Sequence, residues 1–239
     1  MSDQLKAIRE RRSSRVLFNP KRKIPGNQLK QILEAATWAP TAHNMQNFEI
    51  VVVDDRKMLE SIGGLKYQTS LTFIRENYKQ LSFSEAELRK KKVGILGTQF
   101  PPAWLKPNPT LKDLGGDGRS SFISKQISSC SAFLVVLYDP KRRAPASEGD
   151  FLGAVSLGCM MENVWLMANS LGIAVHIVSS VAQDSVAKKI KGLLKIPGNL
   201  KIVFAFRLGY PLQPFKSLRV RREIGDFVSF TRYGKNGKI

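Results

Sequence analysis

The 239-residue chain contains only two cysteines, Cys130 and Cys159, and only two histidines, His43 and His176. Both cysteines lie in apolar segments, which argues against a disulfide scaffold and favours buried thiols in a reducing compartment. Two histidines are too few for a histidine-rich metal site. The sequence also lacks a GxSxG elbow, a Walker-type glycine loop and a CxxC pair. We therefore expect neither a metal centre nor an acyl-transfer triad.

Acidic residues are also scarce, since 19 Asp and Glu stand against 38 Lys and Arg, which gives a net charge of +19. The excess is concentrated at the two ends of the chain, because residues 1–30 and residues 201–239 each carry a net charge of +7. Such a balance is compatible with nucleic acid, a membrane surface or small anionic ligands such as phosphorylated cofactors. A nucleic-acid-binding protein would need a basic face interleaved with aromatic residues, which the clustered termini do not supply. We therefore expect no nucleic-acid partner, and a basic nucleic-acid-binding protein is the less favoured alternative.

No apolar leader opens the chain, so we expect a cytoplasmic protein. The segment 150–171 is apolar and almost long enough to cross a bilayer, but Glu162, Asn163 and Asn169 interrupt it. We therefore predict a buried central helix at a subunit interface, and no membrane association.

Hydrophobic patterning predicts several further elements around this helix. Residues 48–55 and 132–139 are typical of strands, and the continuous apolar run of the second predicts a strand covered on both faces. Residues 200–211 predict another strand, with Ile202, Phe204, Phe206 and Leu208 alternating inward. Ser84 and Glu87 form a capping box, which predicts a surface helix.

Four motifs in this order resemble the FMN-dependent nitroreductase family. They are "RRSSR" near the N-terminus, "IPGNQLKQILEAATWAPTAHNMQNFEIVVVDD", a buried helix ending in "LG", and "IPGNLKIVFAFRLGYP" followed by a basic tail. The match covers the first 55 residues and roughly residues 130–225. Each motif alone is modest, but their order and spacing are specific.

The resemblance implies a role for the basic and amide-rich segments. FMN ends in a phosphate dianion, which forked guanidinium groups and hydroxyls bind well. Carried over by position, the N-terminal residues that bind the phosphate and ribityl chain are Arg11, Arg12, Ser13 and Arg15. The basic stretch after "LGYP" returns to the same phosphate in the family, which implies Arg219 and Arg221, with Arg222 one position away.

The loop "PTAHNMQ" resembles the family segment that lies along the isoalloxazine ring, whose edge carries donors and acceptors that carboxamides can pair with. The matching cofactor-binding residues are Pro40, Thr41, Ala42, Asn44 and Gln46. The family usually has serine at the position of Thr41, and proline and tryptophan at those of Asn47 and Phe48. His43 is a candidate substrate contact. Asp150 is a candidate neighbour of flavin N5, and the cap of the following helix is its alternative role.

The resemblance also implies the fold class and the reaction. We expect an α+β protein with a mixed β-sheet flanked by helices, forming an intertwined homodimer with flavins at the subunit interface. NAD(P)H would pass hydride to flavin N5, and an oxidised acceptor such as a nitroaromatic or a quinone would then take it. Because the cofactor carries the chemistry, no catalytic acid or base in the protein is certain.

We expect a single domain over residues 1–239 with two variable parts. Residues 65–125 form an irregular insert, a possible lid over the flavin, in which Tyr67 and an exposed Trp104 are candidate substrate contacts. Residues 212–239 form a basic C-terminal extension that crosses to the partner subunit.

Other flavin reactions on the same scaffold remain open, namely reductive dehalogenation, enoyl reduction and flavin destruction. The motifs of the flavin site do not separate these reactions, because the acceptor pocket falls in the least matched segment. They also leave the choice between NADH and NADPH open.

Overall fold

A computed structural model describes residues 2–78, 82–114, 120–215 and 218–235. The chain forms two compact units, one made of Met1–Gln68 with Arg119–Phe215, the other of Thr69–Gly118 with Lys216–Ile239. The α-helices described are α1 (Asp3–Glu10), α2 (Gly26–Thr37), α3 (Arg56–Gly63), α4 (Leu71–Glu76), α5 (Glu85–Lys91), α6 (Ser121–Ser128), α7 (Phe151–Ser170) and α8 (Asp184–Leu194). The strands described are β1 (Phe48–Val53), β2 (Ser82–Phe83), β3 (Ile95–Leu96), β4 (Ala132–Tyr138), β5 (Ala174–Val178) and β6 (Lys201–Gly209).

The first unit is built on an antiparallel sheet with the strand order β1-β4-β6-β5. Every residue of β4 is buried, as its continuous apolar run predicts, because helices cover both faces of the sheet. Helices α2 and α7 contribute to the hydrophobic cluster on the face of Leu134 and Val136. Helices α3, α6 and α8 contribute to the cluster on the face of Phe133 and Val135. This arrangement of helices about a sheet confirms the α+β class.

Strand β6 departs from the simple alternation that its sequence predicts. Its pairing with β4 shifts between Val136 and Leu137, so that Phe204 pairs with Val136 while Ile202 pairs with Leu137. Such a bulge moves the residues on either side of it onto different faces. Ile202 therefore packs with the α3, α6 and α8 cluster, and the prediction that it shares a face with Phe204 is wrong.

Helix α7 confirms the prediction of a central apolar helix. The segment Glu148–Ser170 is long and apolar enough to cross a membrane by composition, but core helices of soluble proteins have the same property. One side of α7 packs on the sheet through Leu157, Met160 and Val164. Near its start, Phe151 and Val155 are 70% and 46% exposed. The helix therefore has one face in the core and one apolar face open.

The second unit joins much of the predicted insert to the C-terminal extension. Ser84 and Glu87 form the predicted capping box at the start of α5. Phe83, Leu88 and Leu96 make a small cluster, against which Leu218 and Val220 of the extension pack. Leu218 and Val220 of the extension therefore pack within this unit.

Candidate active site

The arginine segment, residues 11–16, lies beside the edge of the sheet. Ser13 forms a parallel β-bridge with Val175 of β5, and the Ser14 amide donates a hydrogen bond to the Val175 carbonyl at 2.8 Å. The side chain of Gln126 donates to the Arg15 carbonyl at 2.6 Å. These bonds fix the segment alongside β5.

The start of the arginine segment is held by three residues of α7. Arg11 Nε lies 3.0 Å from Glu162 Oε1, and the Arg11 guanidinium stacks 4.6 Å from the centre of the Trp165 ring. The indole of Trp165 donates to the Arg12 carbonyl at 2.9 Å, and the Arg12 amide donates to Asn169 Oδ1 at 3.1 Å. Asn169, which interrupts the apolar run of α7, is therefore a binding partner of this backbone.

The side chains of the arginine segment differ in exposure. Arg12 is exposed, whereas Arg11, Ser13 and Arg15 are half-buried. Burial lowers the pKa of the Arg15 guanidinium, which nevertheless stays protonated at neutral pH. Partly desolvated guanidinium groups bind anions more strongly than fully solvated ones. The segment is therefore suited to a phosphate.

The amide loop, residues 40–47, contains a short 3₁₀ turn over Ala42–Asn44. His43, Asn44 and Gln46 have φ values of 52°, 53° and 45°, in the left-handed region that costs roughly 1–2 kcal/mol for a residue with a Cβ. The Ala42 amide donates to Ser156 Oγ of α7 at 3.0 Å. The Gln46 amide donates to Thr41 Oγ1 at 3.1 Å.

Backbone strain of this kind clusters at ligand-binding sites, where the surrounding structure maintains it. The loop exposes the side chains of Pro40, His43, Asn44 and Gln46, while Thr41 and Ala42 are half-buried. Three polar side chains are therefore presented outward on a loop that α7 anchors.

Asp150, at the start of α7, is oriented by a tyrosine rather than by the helix. Its φ is 56° and its side chain caps no amide of α7; instead the hydroxyl of Tyr138 donates to Asp150 Oδ2. The alternative helix-capping role is therefore wrong, and the Leu152 amide donates to Ser147 Oγ. A role of Asp150 near flavin N5 stays a prediction.

Two buried acceptor oxygens of the residues around Gly153, Asp150 Oδ1 and Asn47 Oδ1, have no hydrogen-bond donor among the described residues. The side chains of Asp150 and Asn47 can come this close to α7 because residue 153 is a glycine. A Cβ there would lie 2.6 Å from Asp150 Oδ1 and 3.1 Å from Asn47 Nδ2. Unsatisfied buried acceptors are rare and call for a donor. An N–H group of a ligand would satisfy them.

Sequence reasoning missed most of these supporting residues, namely Asn47, Tyr138, Ser156, Glu162 and Trp165. The available signal was the polar residues inside the apolar segment of α7. Polar groups in a buried helix need partners, and Asn169 proves to hold the arginine segment.

The candidate substrate residues Tyr67 and Trp104 lie in different units. Tyr67 is 1% exposed, and its hydroxyl donates to the Ile62 carbonyl at 2.9 Å. Trp104 is 8% exposed, so the prediction that it is exposed is wrong; it packs against the rings of Phe73 and Phe100. A contact of either residue with substrate stays a prediction.

The C-terminal arginines belong to the second unit and are exposed. Arg221 Nη1 donates to the Val220 carbonyl at 2.7 Å, and the Arg222 guanidinium lies 5.3 Å from the centre of the Phe227 ring. That Arg219 and Arg221 reach the same ligand as the arginine segment stays a prediction.

Comparisons with known proteins agree with this fold. The NADPH:FMN oxidoreductase of Vibrio harveyi, solved with NAD⁺, has a TM-score of 0.60 at 20% identity and covers 99% of this chain and 80% of its own. A nitroreductase of Bacteroides fragilis solved with bound FMN has a TM-score of 0.59 at 18% identity and covers 97% of this chain and 100% of its own. At these identities the comparison defines a protein of nitroreductase fold.

Sequence comparison goes one step further. The model of the nitroreductase family matches residues 8–210, a span that includes both the arginine segment and the amide loop. A protein of Archaeoglobus fulgidus named as an NADH dehydrogenase/NAD(P)H nitroreductase is 26% identical over 211 residues, 88% of this chain and 87% of that protein. The chain belongs to the nitroreductase family.

Proposed function

We propose that this protein is an FMN-dependent oxidoreductase that takes hydride from NAD(P)H and transfers it to an oxidised acceptor such as a nitroaromatic or a quinone. FMN, when bound, supplies the hydride-accepting and hydride-donating ring. The protein then has to bind the cofactor, orient it and position two substrates in turn.

The observation that carries the proposal is that α7 anchors both candidate cofactor segments. Ser156 holds the amide loop, and Glu162, Trp165 and Asn169 hold the arginine segment. At about 1.5 Å of rise per residue, Ser156 and Glu162 are roughly 9 Å apart along the axis. A cationic segment and a carboxamide loop on one rigid support suit a ligand with a phosphate at one end and a polar ring at the other.

The residues fit FMN in their chemistry. Arg11, Arg12, Ser13 and Arg15 would hold the phosphate and the ribityl chain with guanidinium and hydroxyl donors. The unsatisfied oxygens of Asn47 and Asp150 would accept N–H donors of the ring edge or of the substrate's carboxamide. The loop side chains of Asn44 and Gln46 would supply both donors and acceptors.

We further propose that the active protein is a homodimer in the cytoplasm. The apolar face of α7 with Phe151 and Val155 is the surface that a second copy would cover, because such residues are seldom left exposed together. Binding sites at such an interface would take residues from both copies, including the C-terminal extension with Arg219 and Arg221.

The second unit, with Trp104, would contain the variable segment that selects the acceptor. Its range, Thr69–Gly118 with Lys216–Ile239, follows the predicted insert and extension closely. A compact unit that holds most of the predicted insert is suited to selecting the acceptor, since function varies most where loops vary.

Absorption spectroscopy of the purified protein tests the proposal. The wild-type protein should carry, or take up, a flavin with bands in the visible region, and these should bleach on anaerobic addition of NADPH or NADH. The R12Q variant, which removes an exposed guanidinium of the arginine segment, should bind FMN about tenfold more weakly, equal to ~1.4 kcal/mol. The K189Q variant removes one exposed charge from α8 and should bind FMN like the wild type.

Two results would count against the proposal. A colourless protein that does not take up FMN would exclude the flavin. Equal weakening by R12Q and K189Q would mean that net charge, rather than the arginine segment, attracts the cofactor.

A further inference from the structure

Strand β6 carries a fully buried arginine directly behind the arginine segment. Arg207 is 0% exposed and pairs across the sheet with His176 of β5. Its Nη2 donates to the Val16 carbonyl at 2.7 Å, and its guanidinium lies 4.3 Å from the centre of the Phe18 ring. Arg207 therefore supports the backbone at the end of the segment that carries Arg11, Arg12, Ser13 and Arg15.

The charge of Arg207 has no counter-ion in the chain as far as the structure describes it. No described aspartate or glutamate forms an ion pair with it, and its Nε has no hydrogen-bond partner. Burial raises the pKa of the neighbouring Cys130 thiol to about 12, so this thiol is neutral at physiological pH. Burial also lowers the pKa of Arg207 to about 10, which leaves the guanidinium protonated.

The histidine beside it does not neutralise the charge either. Arg207 Nη1 lies 3.3 Å from His176 Nδ1, and since a guanidinium can only donate, Nδ1 must accept. His176 is therefore the neutral tautomer with its proton on Nε2. Arg207 and His176 therefore place a charged guanidinium and a neutral N–H donor near Val175. The backbone of Val175 in turn binds Ser13 and Ser14.

An unpaired charge in a protein interior is unfavourable unless something compensates it. We expect the missing counter-ion of Arg207 to come from a bound ligand. The arginine segment is the nearest candidate ligand site. Because the field of Arg207 is not cancelled by a carboxylate and passes through protein rather than water, it favours an anion there.

We propose that Arg207 is a positioning residue for an anionic ligand of the arginine segment: it fixes the segment through the Val16 carbonyl, and its uncompensated charge selects ligands that carry a phosphate. With the proposed function, on which this part of the inference rests, the phosphate is that of FMN. Riboflavin, which has the same ring without the phosphate, should then lack the benefit of Arg207.

The experiment compares the dissociation constants of FMN and riboflavin for the wild type, R207M and R207K, measured by flavin fluorescence on apoprotein. We expect R207M to lower the preference for FMN over riboflavin about tenfold, equal to ~1.4 kcal/mol. R207K keeps the charge and should retain most of the preference. A purely structural role would weaken both ligands equally in R207M, and this result would overturn the proposal.

Arg56 provides a matched control in the same unit. Like Arg207, it donates to backbone: its guanidinium bonds to the carbonyls of Ser128 at 2.5 Å and Cys130 at 2.8 Å, and no described bond joins it to the arginine segment. R56M should lower the stability of the protein and leave the ratio of the two dissociation constants unchanged. A change in this ratio as large as that in R207M would refute a specific role of Arg207.

Thermal unfolding of the apoprotein with and without inorganic phosphate separates this inference from the proposed function. Phosphate should raise the melting temperature of the wild type more than that of R207M, whether or not FMN binds. R207M removes an unpaired buried charge but also leaves the Val16 carbonyl and His176 Nδ1 without their donor, so each variant's melting temperature without phosphate is its own baseline. If the wild type fails to bind FMN but shows the Arg207-dependent effect of phosphate, the proposed FMN-dependent function is refuted. The anion site supported by Arg207 is then retained. If FMN binds, but the phosphate effect and the ligand preference are the same in R207M and in the wild type, only the role of Arg207 is refuted.

Discussion

Acidification should destabilise the apoprotein through His176. Burial, followed by the nearby charges of Arg207 and Arg15, lowers the pKa of this imidazole well below its ordinary value of 6.5. The folded protein therefore keeps the ring neutral at a pH where the unfolded chain protonates it. The stability that this provides is fully present above pH 6.5 and is lost as the pH falls below that value toward the folded-state pKa.

The magnitude follows from the linkage of protonation to folding. Between about pH 7.5 and about pH 5.5, the unfolded chain takes up a proton on His176 that the folded chain excludes, which lowers the free energy of unfolding by ~1.4 kcal/mol. For a chain of this length the melting temperature should fall by about 3–5 °C. Asp113 does not contribute in this window, because the hydrogen bond from Lys106 lowers its pKa to about 2.

Urea unfolding followed by circular dichroism at the two pH values measures this loss. The H176N variant keeps an acceptor for Arg207 but cannot titrate, so its stability should depend less on pH by the same ~1.4 kcal/mol. His43 is exposed and is the only other histidine, and H43N should retain the wild-type dependence. Equal pH dependence in wild type and H176N would refute the reasoning, because another group would then be taking up the proton.

Three substitutions test other parts of the structure. G153A places a Cβ 2.6 Å from Asp150 Oδ1 and should weaken FMN binding about tenfold, ~1.4 kcal/mol, in a fluorescence titration; unchanged affinity would place the cofactor away from Asp150. G63A places a Cβ 2.1 Å from Ser128 Oγ, between α3 and α6, and should lower the free energy of unfolding by ~1–3 kcal/mol in urea; no loss would mean that the two helices separate without strain. F151E puts a charge on the open face of α7 and should convert a dimer to monomer in analytical ultracentrifugation, whereas an intact dimer would assign that face another role.

The elements with strong local signals could be predicted from the sequence. The apolar run of β4, the capping box of α5 and the length of α7 are properties of consecutive residues, and the structure has all three. The order of the motifs also identified the family, which the family model confirms. Such features need no knowledge of what packs against them.

The features that could not be predicted depend on residues that are distant in sequence. Trp104 follows two prolines in an irregular segment and was expected to be exposed, but Phe73 and Phe100 cover it. Alternation along β6 placed Arg207 on an outward face, and helices α3, α6 and α8 turn that face into a core. A strand with a partly polar face, unlike the continuous apolar run of β4, does not itself tell whether helices will cover that face.

Two of the positions where local rules fail lie beside the segments proposed to bind the cofactor. Asp150 has the residue type and position of a helix cap, yet its carboxylate bonds to Tyr138 and leaves one oxygen without a donor. Arg207 has the residue type of a surface position, yet it is buried with an unpaired Nε behind the arginine segment. In the described part of the chain, one carboxylate oxygen of Asp150 therefore lacks a hydrogen-bond donor, and the guanidinium of Arg207 lacks an anion.

The unsatisfied oxygen of Asp150 and the unpaired charge of Arg207 are two defects of the folded chain. Selection for stability alone would have removed both, since apolar substitutes of similar size are available at each position. A ligand with N–H groups at one end and a phosphate at the other would satisfy both. The two defects therefore form a single argument for such a ligand, independent of the family to which the chain belongs. The argument has a measurable consequence, because binding such a ligand should raise the melting temperature of the wild type by more than that of R207M or G153A.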